Sequence, residues 1–207
     1  MSQRQNLIVL YPPGVGGNHL ANMLSLSDDF TTRFDLARYG APMNLYDNIQ
    51  AHHFSTVPQL EVQIVTDNLE TLSNQNNVFA CHWLKYHIFK ESGLLKYFPN
   101  RRFVVIQVPE EDSRAFIRFQ KVGLDNKNFP WLVHEIRTLY KPNCLALVCE
   151  EPHSNFYPVW PHMLFDQDFS AIIKDLHDHG FEIDLDINLV QCFHDKWLTN
   201  IQKEISL

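Results

Sequence analysis

Short apolar runs rich in β-branched and aromatic residues recur along the chain, and each is followed by turn residues or by a stretch of helical period. Runs of this length and composition are typical of strands buried on both faces of a sheet. The predicted strands are Leu7–Leu10, Val62–Val65, Val78–Cys81, Phe103–Val108 and Leu145–Cys149. The pattern therefore predicts a buried sheet.

Apolar residues at helical spacing occupy the intervals between these strands. They cover 20–24, 88–97, 116–119 and 131–140, and two further amphipathic helices are predicted at 169–176 and 186–201. This alternation predicts an α/β fold, with helices on both faces of a mostly parallel sheet. Segment 28–57 has no clear period, and we expect helices and loops over the sheet there. No linker-like stretch divides the chain, so residues 1–207 are predicted to form a single domain.

Composition indicates a globular protein whose binding sites are local. The 207 residues are 45% hydrophobic and 20% charged, which suits a buried core rather than a disordered chain. Lys and Arg together number 17 against 24 Asp and Glu, a net charge of −7. This balance argues against nucleic acid or an anionic membrane surface as a partner. Any bound anion must be held by a local site.

The N-terminal run and the cysteines predict a cytoplasmic location. Leu7–Leu10 is too short for a signal-peptide core or a membrane span. The cysteines show no C-x-x-C spacing, and three of the four lie in apolar stretches: Cys81, Cys144, Cys149 and Cys192. Buried free thiols in a reducing compartment are the simplest interpretation.

The glycines are concentrated at one place. Three of the seven, Gly14, Gly16 and Gly17, follow the first predicted strand and precede a segment of helical spacing. A glycine-rich turn between a strand and a helix directs main-chain N–H groups and the positive helix end toward one point. The cluster therefore predicts a site for a phosphate or a similar anion. The alternative is that these glycines only pack a tight turn.

The loop departs from the common P-loop form G-P-P-G-x-G-K-S. Tyr11 replaces the first glycine, Gly17 stands at the lysine that grips phosphate, and Asn18 stands at the hydroxyl that binds magnesium. The strand Val78–Cys81 ends at His82 with no acidic residue beside it. Magnesium-dependent hydrolysis of ATP or GTP is therefore disfavoured.

With these departures, the loop resembles that of the sulfotransferase branch of the P-loop fold. Tyr11-Pro12 and Gly16-Gly17-Asn18 match the ends of that family's phosphosulfate loop. A strand ending at His82, a later strand ending before Pro109, and a C-terminal helical region from 169 to 201 follow in the family's order.

The resemblance implies a P-loop, sulfotransferase-like architecture and a sulfotransferase that uses 3′-phosphoadenosine 5′-phosphosulfate and needs no metal. The acceptor would be a hydroxyl group of a small molecule or a glycan. His82 would be the general base that deprotonates this hydroxyl. The residues implied in donor binding are Gly14, Val15, Gly16, Gly17 and Asn18 at the phosphosulfate, and Gln107, Ser113 and Arg114 at the 3′-phosphate.

Three family positions are not matched, which leaves other functions open. The loop lysine falls at Pro13, the 3′-phosphate arginine at Gln107, and the family's serine at Ala115. Arg118, with Ser113 and Arg114, lies close enough to replace the 3′-phosphate contacts, and Lys85 lies one turn beyond His82. Loss of cations that face the transition state costs about 3 kcal/mol per preorganised group. The alternatives are a non-catalytic module that binds nucleotide or anion, and an atypical nucleotide kinase.

The histidines carry weaker signals. His82 is also consistent with a hydrogen-bonded residue at a strand end, and His19 with either a ligand contact or a surface position. The pair His52-His53 is predicted to belong to an ordinary loop, since adjacent side chains rarely reach one metal. A solvated helix face is predicted for the C-terminal histidines: His177, His179 and His194.

Overall fold

The four described strands form one parallel sheet in the order β2-β1-β3-β4. The computed structural model describes residues 4–12, 14–31, 57–108, 114, 117–118, 150–166, 169–181 and 183–206. The strands are β1 (Asn6–Tyr11), β2 (Asn77–His82), β3 (Arg101–Ile106) and β4 (Phe156–Val159). Because all pairs are parallel, the carboxyl ends of the strands lie at one edge of the sheet. At that edge Tyr11 is paired directly with His82.

Seven described α-helices surround the sheet. They are α1 (Gly17–Leu24), α2 (Val62–Asp67), α3 (Leu69–Leu72), α4 (Trp83–Glu91), α5 (Pro161–Asp166), α6 (Phe169–Asp178) and α7 (Ile187–Ser206). Two short 3₁₀ helices, Leu94–Tyr97 and His153–Asn155, precede β3 and β4. Each described helix is too short or too polar to span a membrane.

The central strand β1 shows how the sheet is covered. All six of its residues are buried, and the five side chains from Leu7 to Tyr11 alternate between two apolar clusters. Leu7, Val9 and Tyr11 pack with residues of α1, α5, α6 and α7. Ile8 and Leu10 pack on the other face, with residues of α2, α3 and α4. The predicted α/β fold, with helices on both faces of a parallel sheet, is confirmed.

The prediction of a strand at Val62–Val65 is wrong, because these residues open α2. Periodicity alone cannot separate a short apolar run in a strand from one in a helix. The extended chain lies just before the run: the Leu60 amide donates to the carbonyl of Ala80 in β2 at 2.9 Å. Of the residues in α2, only Val65 is fully buried. A short helix that lies over a sheet buries only the side chains that face the sheet.

The strand β4 was not predicted, because Pro158 interrupts its apolar pattern. Proline lacks the N–H that a central strand needs and is tolerated at a sheet edge. β4 is the last strand in the order of the described sheet, which explains its presence there. The strand predicted at Phe103–Val108 ends two residues earlier, at Ile106. The predicted strand Leu145–Cys149 and the helix at 131–140 lie outside the described residues, as do 32–56 and most of 116–119.

The two C-terminal helices are confirmed, with one correction. α6 buries the predicted stripe of Phe169, Ile172, Ile173 and Leu176 and ends before Gly180. α7 extends beyond the predicted end and buries Val190, Phe193, Trp197 and Ile201. Leu189 was expected on the same face but is 40% exposed, since it lies at the margin of the apolar stripe.

The prediction for the cysteines holds at one of two described positions. Cys81 is a buried free thiol in β2, whereas Cys192 is free but exposed on α7. Cys192 was predicted to be buried because its neighbours in sequence are apolar. It lies next to the buried Phe193 but on the solvent side of the helix. Cys144 and Cys149 lie outside the described residues. The single domain stays a prediction.

Candidate functional site

The loop that follows β1 has the backbone conformation of an anion-binding turn. Gly14 and Gly16 adopt φ angles of 80° and 85°, while Val15 between them does not have a positive φ. Such alternation turns successive main-chain N–H groups toward one side of the loop. Gly16 is the N-cap of α1, so the positive end of the helix dipole lies at the same place. The predicted order of strand, glycine turn and helix is confirmed.

The carbonyls of the loop accept hydrogen bonds from protein groups, whereas its amides donate none to the described residues. Arg118 Nη1 donates to the carbonyl of Gly14 at 2.7 Å, and the Leu20 amide donates to the carbonyl of Gly16 at 2.9 Å. Within the part of the chain that the structure describes, the amides of 14–17 donate to no protein acceptor. Buried main-chain donors are rarely left unpaired in folded proteins. These amides therefore suit an anionic ligand.

Packing accounts for part of the glycine cluster. A Cβ atom on Gly17 would lie 1.8 Å from Cγ of Tyr11, so no other residue fits there. A Cβ atom on Gly16 would lie 3.0 Å from the ring of Trp197, in addition to the strain of a positive φ. The tight-turn interpretation thus explains Gly17, while Gly14 and Gly16 shape the loop itself.

Tyr11 joins the loop to the end of β2. Its hydroxyl donates to Oδ1 of Asn18, which also accepts a hydrogen bond from Nε2 of Gln59 at 3.0 Å. Burial raises the pKa of Tyr11 above its ordinary value, so the hydroxyl keeps its proton. The Tyr11 ring lies 4.5 Å from the imidazole of His82, centre to centre. The side chain of Asn18 is therefore held by protein groups.

His82 ends β2 as a neutral imidazole. Its Nδ1 atom is buried, and no described residue offers it a hydrogen bond. Burial, and next to it the positive charge of Lys85, lowers the pKa of His82 to about 4, although Tyr11 and Glu61 oppose this shift. Lys85 itself forms a close ion pair with Glu61. Near pH 7 this imidazole is therefore uncharged.

Comparison with known proteins supports the fold. No protein-family model and no curated protein matches the chain. Among solved structures, the crystal structure of sulfotransferase STF1 from Mycobacterium tuberculosis H37Rv superposes with a TM-score of 0.51 at 12% sequence identity. The match covers 99% of this chain and 77% of that chain. The chain has a sulfotransferase-like fold. At this identity the likeness concerns the fold alone.

The predicted 3′-phosphate residues are only partly described in this sulfotransferase-like fold. Gln107 directly follows β3 and is buried at the same sheet edge as the loop, where its Nε2 donates to the carbonyl of Val105 at 3.4 Å. Arg114 is exposed, and Ser113 lies outside the described residues. The structure thus brings the glycine loop, His82 and Gln107 to one edge.

His19 and His194 lie in the core of the sulfotransferase-like fold, contrary to the surface positions considered for them. His19 Nε2 and His194 Nδ1 are 2.9 Å apart and share a hydrogen bond between α1 and α7. The His19 ring stacks on Trp197 at 4.2 Å, almost parallel to it. Burial, then the charges of His194 and Arg118, lower the pKa of His19 well below its ordinary value. His177 and His179 are exposed, as predicted.

One contributor to the site, Gln59, was not identified from sequence, and another, Arg118, was considered for a different role. Arg118, considered for the 3′-phosphate, instead binds the loop carbonyl of Gly14, and Gln59 holds Asn18 from a segment without a motif. Both contacts join distant parts of the chain, so no local pattern could have revealed them. Within the described residues, no group of three His, Cys, Asp or Glu side chains is placed to hold a metal ion.

Proposed function

We propose that this protein is a sulfotransferase that transfers the sulfuryl group of 3′-phosphoadenosine 5′-phosphosulfate to a hydroxyl group of a small molecule or a glycan. The oxygen of the acceptor attacks sulfur as the bond between sulfur and the bridging phosphate oxygen breaks. The acceptor proton passes to His82, and the products are a sulfate ester and adenosine 3′,5′-bisphosphate. No metal has a role in this proposal.

The observation that carries the proposal is the set of loop amides without protein acceptors. An anion bound there would satisfy the amides of 14–17 and would benefit from the positive end of α1. In a sulfotransferase-like fold, the natural guest is the 5′-phosphosulfate of the donor. The same amides would stabilise the charge that develops on the leaving phosphate, which is the largest single contribution in many enzymes.

The environment of His82 supports its role as the base. It pairs in register with Tyr11, the last residue before the loop, so a group bound at the loop lies near the imidazole. Its low pKa keeps it unprotonated at pH 7. A bound anion would raise that pKa, because a nearby negative charge favours the imidazolium form. The imidazole would therefore be a better base in the donor complex than in the free protein.

For the 3′-phosphate, we propose Gln107, Ser113 and Arg114. Gln107 offers a neutral amide at the end of β3, and Arg114 is an exposed cation that follows it along the chain. A solvated arginine is a weaker anchor than a buried one. The affinity for the 3′-phosphate is therefore expected to be modest, with most of the binding free energy coming from the loop.

One observation favours a second function, a non-catalytic module that binds the same nucleotide. A base with a pKa of about 4 is far from the value that suits proton transfer at pH 7. The family's loop lysine is also replaced by Pro13. Such a module would hold the anion without transferring a sulfuryl group.

Calorimetric titration with adenosine 3′,5′-bisphosphate, ADP, Mg-ATP and sulfate tests the proposal. We expect the bisphosphate to bind most tightly, and Gly16→Val to abolish its binding. Gly93→Val is the matched control, because Gly93 also has a positive φ of 74° but lies away from the loop with nothing near its Cβ position.

The titration, combined with an assay of sulfuryl transfer, separates the candidate functions. Tight bisphosphate binding with transfer from the phosphosulfate donor to any phenol, alcohol or glycan supports the transferase. Binding without transfer to a broad acceptor panel supports the module. Stronger binding of Mg-ATP would point to a kinase, and no binding of any of these anions would contradict both leading functions.

A further inference from the structure

Arg118 is a buried cation that contacts the loop from the side of the core. Its side chain is 2% exposed, and its Nη1 atom donates to the carbonyl of Gly14 at 2.7 Å. The guanidinium carbon lies 5.9 Å from the ring centre of Trp197, and that ring packs against Gly16. Arg118 and Trp197 together support both glycines whose φ angles shape the loop.

The contact with Gly14 fixes the direction of a neighbouring amide. The peptide bond between Gly14 and Val15 is trans, because the described chain contains no cis peptide bond. In a trans peptide, the carbonyl and the N–H point in opposite directions. With its carbonyl held by Arg118, this peptide directs the N–H of Val15 away from the guanidinium, as an anion-binding loop requires.

The guanidinium also places a full positive charge beside the loop. The family's lysine position is Pro13 in this chain, so the loop itself carries no cation. A charge that is excluded from solvent is screened less than one at the surface. The influence of Arg118 within this region is already visible at His19, whose pKa it helps to lower.

We propose that Arg118 is the positioning residue of the anion site: it orients the Val15 amide and supplies the positive charge that the loop lacks. This inference rests on the proposed function, since it assigns how the same loop binds the donor. Arg118 acts through the Gly14 carbonyl and through its charge, without contacting the donor.

The test compares Arg118→Met with Arg102→Met. Arg102, at the opposite end of the sheet, makes the same two kinds of contact but is only half-buried: it donates to the carbonyl of Gly180 at 2.6 Å and lies 3.6 Å from the ring of Phe181. We expect Arg118→Met to weaken binding of adenosine 3′,5′-bisphosphate on the order of 10- to 100-fold, as loss of a nearby buried charge predicts. Arg102→Met should leave that affinity within about twofold, since its charge is remote from the loop.

Two further readouts separate positioning from general support of the fold. In ¹⁵N-labelled protein, sulfate should shift the Val15 amide resonance in the wild type and in Arg118→Lys, but much less in Arg118→Met. If Arg118→Met does not fold, Arg118→Ala with a few millimolar guanidinium ion replaces it, and the added ion should restore bisphosphate binding.

The outcomes are decisive for the inference itself. Wild-type affinity in folded Arg118→Met, or an unchanged Val15 shift in that variant, would overturn the role of Arg118 while leaving the proposed function intact. Failure of guanidinium to restore binding to Arg118→Ala would overturn it as well. Absence of bisphosphate binding in the wild type would instead refute the proposed function on which the inference rests.

Discussion

The glycine loop and the end of β2 lie side by side at one edge of the sheet, but they are built differently. The loop offers main-chain amides, and buried side chains fix its shape from the core side. The end of β2 offers one side chain, His82, whose protonation depends on burial and on the Lys85–Glu61 pair. Binding is therefore set by backbone geometry, whereas chemistry is set by the electrostatic environment of a single imidazole. Substitutions in the two regions should separate these two properties.

The largest expected effect comes from His82→Ala. Because His82 is proposed to take the acceptor proton, kcat for sulfuryl transfer should fall about 10²- to 10⁴-fold. The Kd for adenosine 3′,5′-bisphosphate should change by less than about twofold, since the loop binds the anion. Transfer from radiolabelled donor and calorimetry measure the two quantities. His87→Ala, an exposed histidine on α4, is the control and should change neither. Equal turnover in His82→Ala and wild type would remove His82 from the role of base.

The next effect concerns stability and the packing of the loop. Gly17→Ala places a methyl group on the ring of Tyr11, and overpacking of this kind should lower the free energy of unfolding by about 3 kcal/mol. Gly93→Ala is the comparison, because it suffers only from its positive φ and should cost about 1 kcal/mol. Urea denaturation measures both. A Gly17→Ala protein as stable as Gly93→Ala would show that the loop adapts more freely than its contacts indicate.

The smallest effect, taken per pH unit, is the pH dependence of stability. The pKa of His82 is about 4, and that of His19 is also lowered, so in acid the unfolded chain binds protons before the folded protein does. Stability should be complete above pH 6.5 and should decline as the pH falls from 6.5 toward 4. The slope is up to about 1.4 kcal/mol per pH unit for each histidine.

Denaturation at a series of pH values, with matched variants, tests this slope. His19→Gln and His82→Gln should each give a shallower decline than the wild type. The exposed His87 serves as control, and His87→Gln should leave the slope unchanged. A free energy of unfolding that is flat between pH 6.5 and 4.5 would contradict the buried, neutral state of both histidines.

Local patterns predicted the parts of the fold that depend on neighbours in sequence. The strands β1 and β2, the glycine turn and the stripes of α6 and α7 follow directly from short-range spacing. The run Val62–Val65 was wrongly predicted as a strand, because a short apolar run suits either a strand or a helix. The strand containing Pro158 was missed, because proline is tolerated in a strand only at a sheet edge.

The contacts that support the site could not be predicted from the sequence, because they join residues far apart in the chain. Arg118 reaches Gly14 across 104 positions, and His19 reaches His194 across 175. Such pairs form only when α1, α7 and residues 117–118 pack around the loop. The position of His82 was predictable from the end of its strand. Its low pKa was not, because that depends on burial and on the folded arrangement around Lys85.

The central claim is that the amides after β1 bind the anionic end of a nucleotide. A crystal structure of the complex with adenosine 3′,5′-bisphosphate tests it most directly. We expect the 5′-phosphate within about 3 Å of the amides of Val15, Gly16 and Gly17, with His82 nearby on the acceptor side. A bisphosphate bound elsewhere on the protein, with those amides still unpaired, would contradict it.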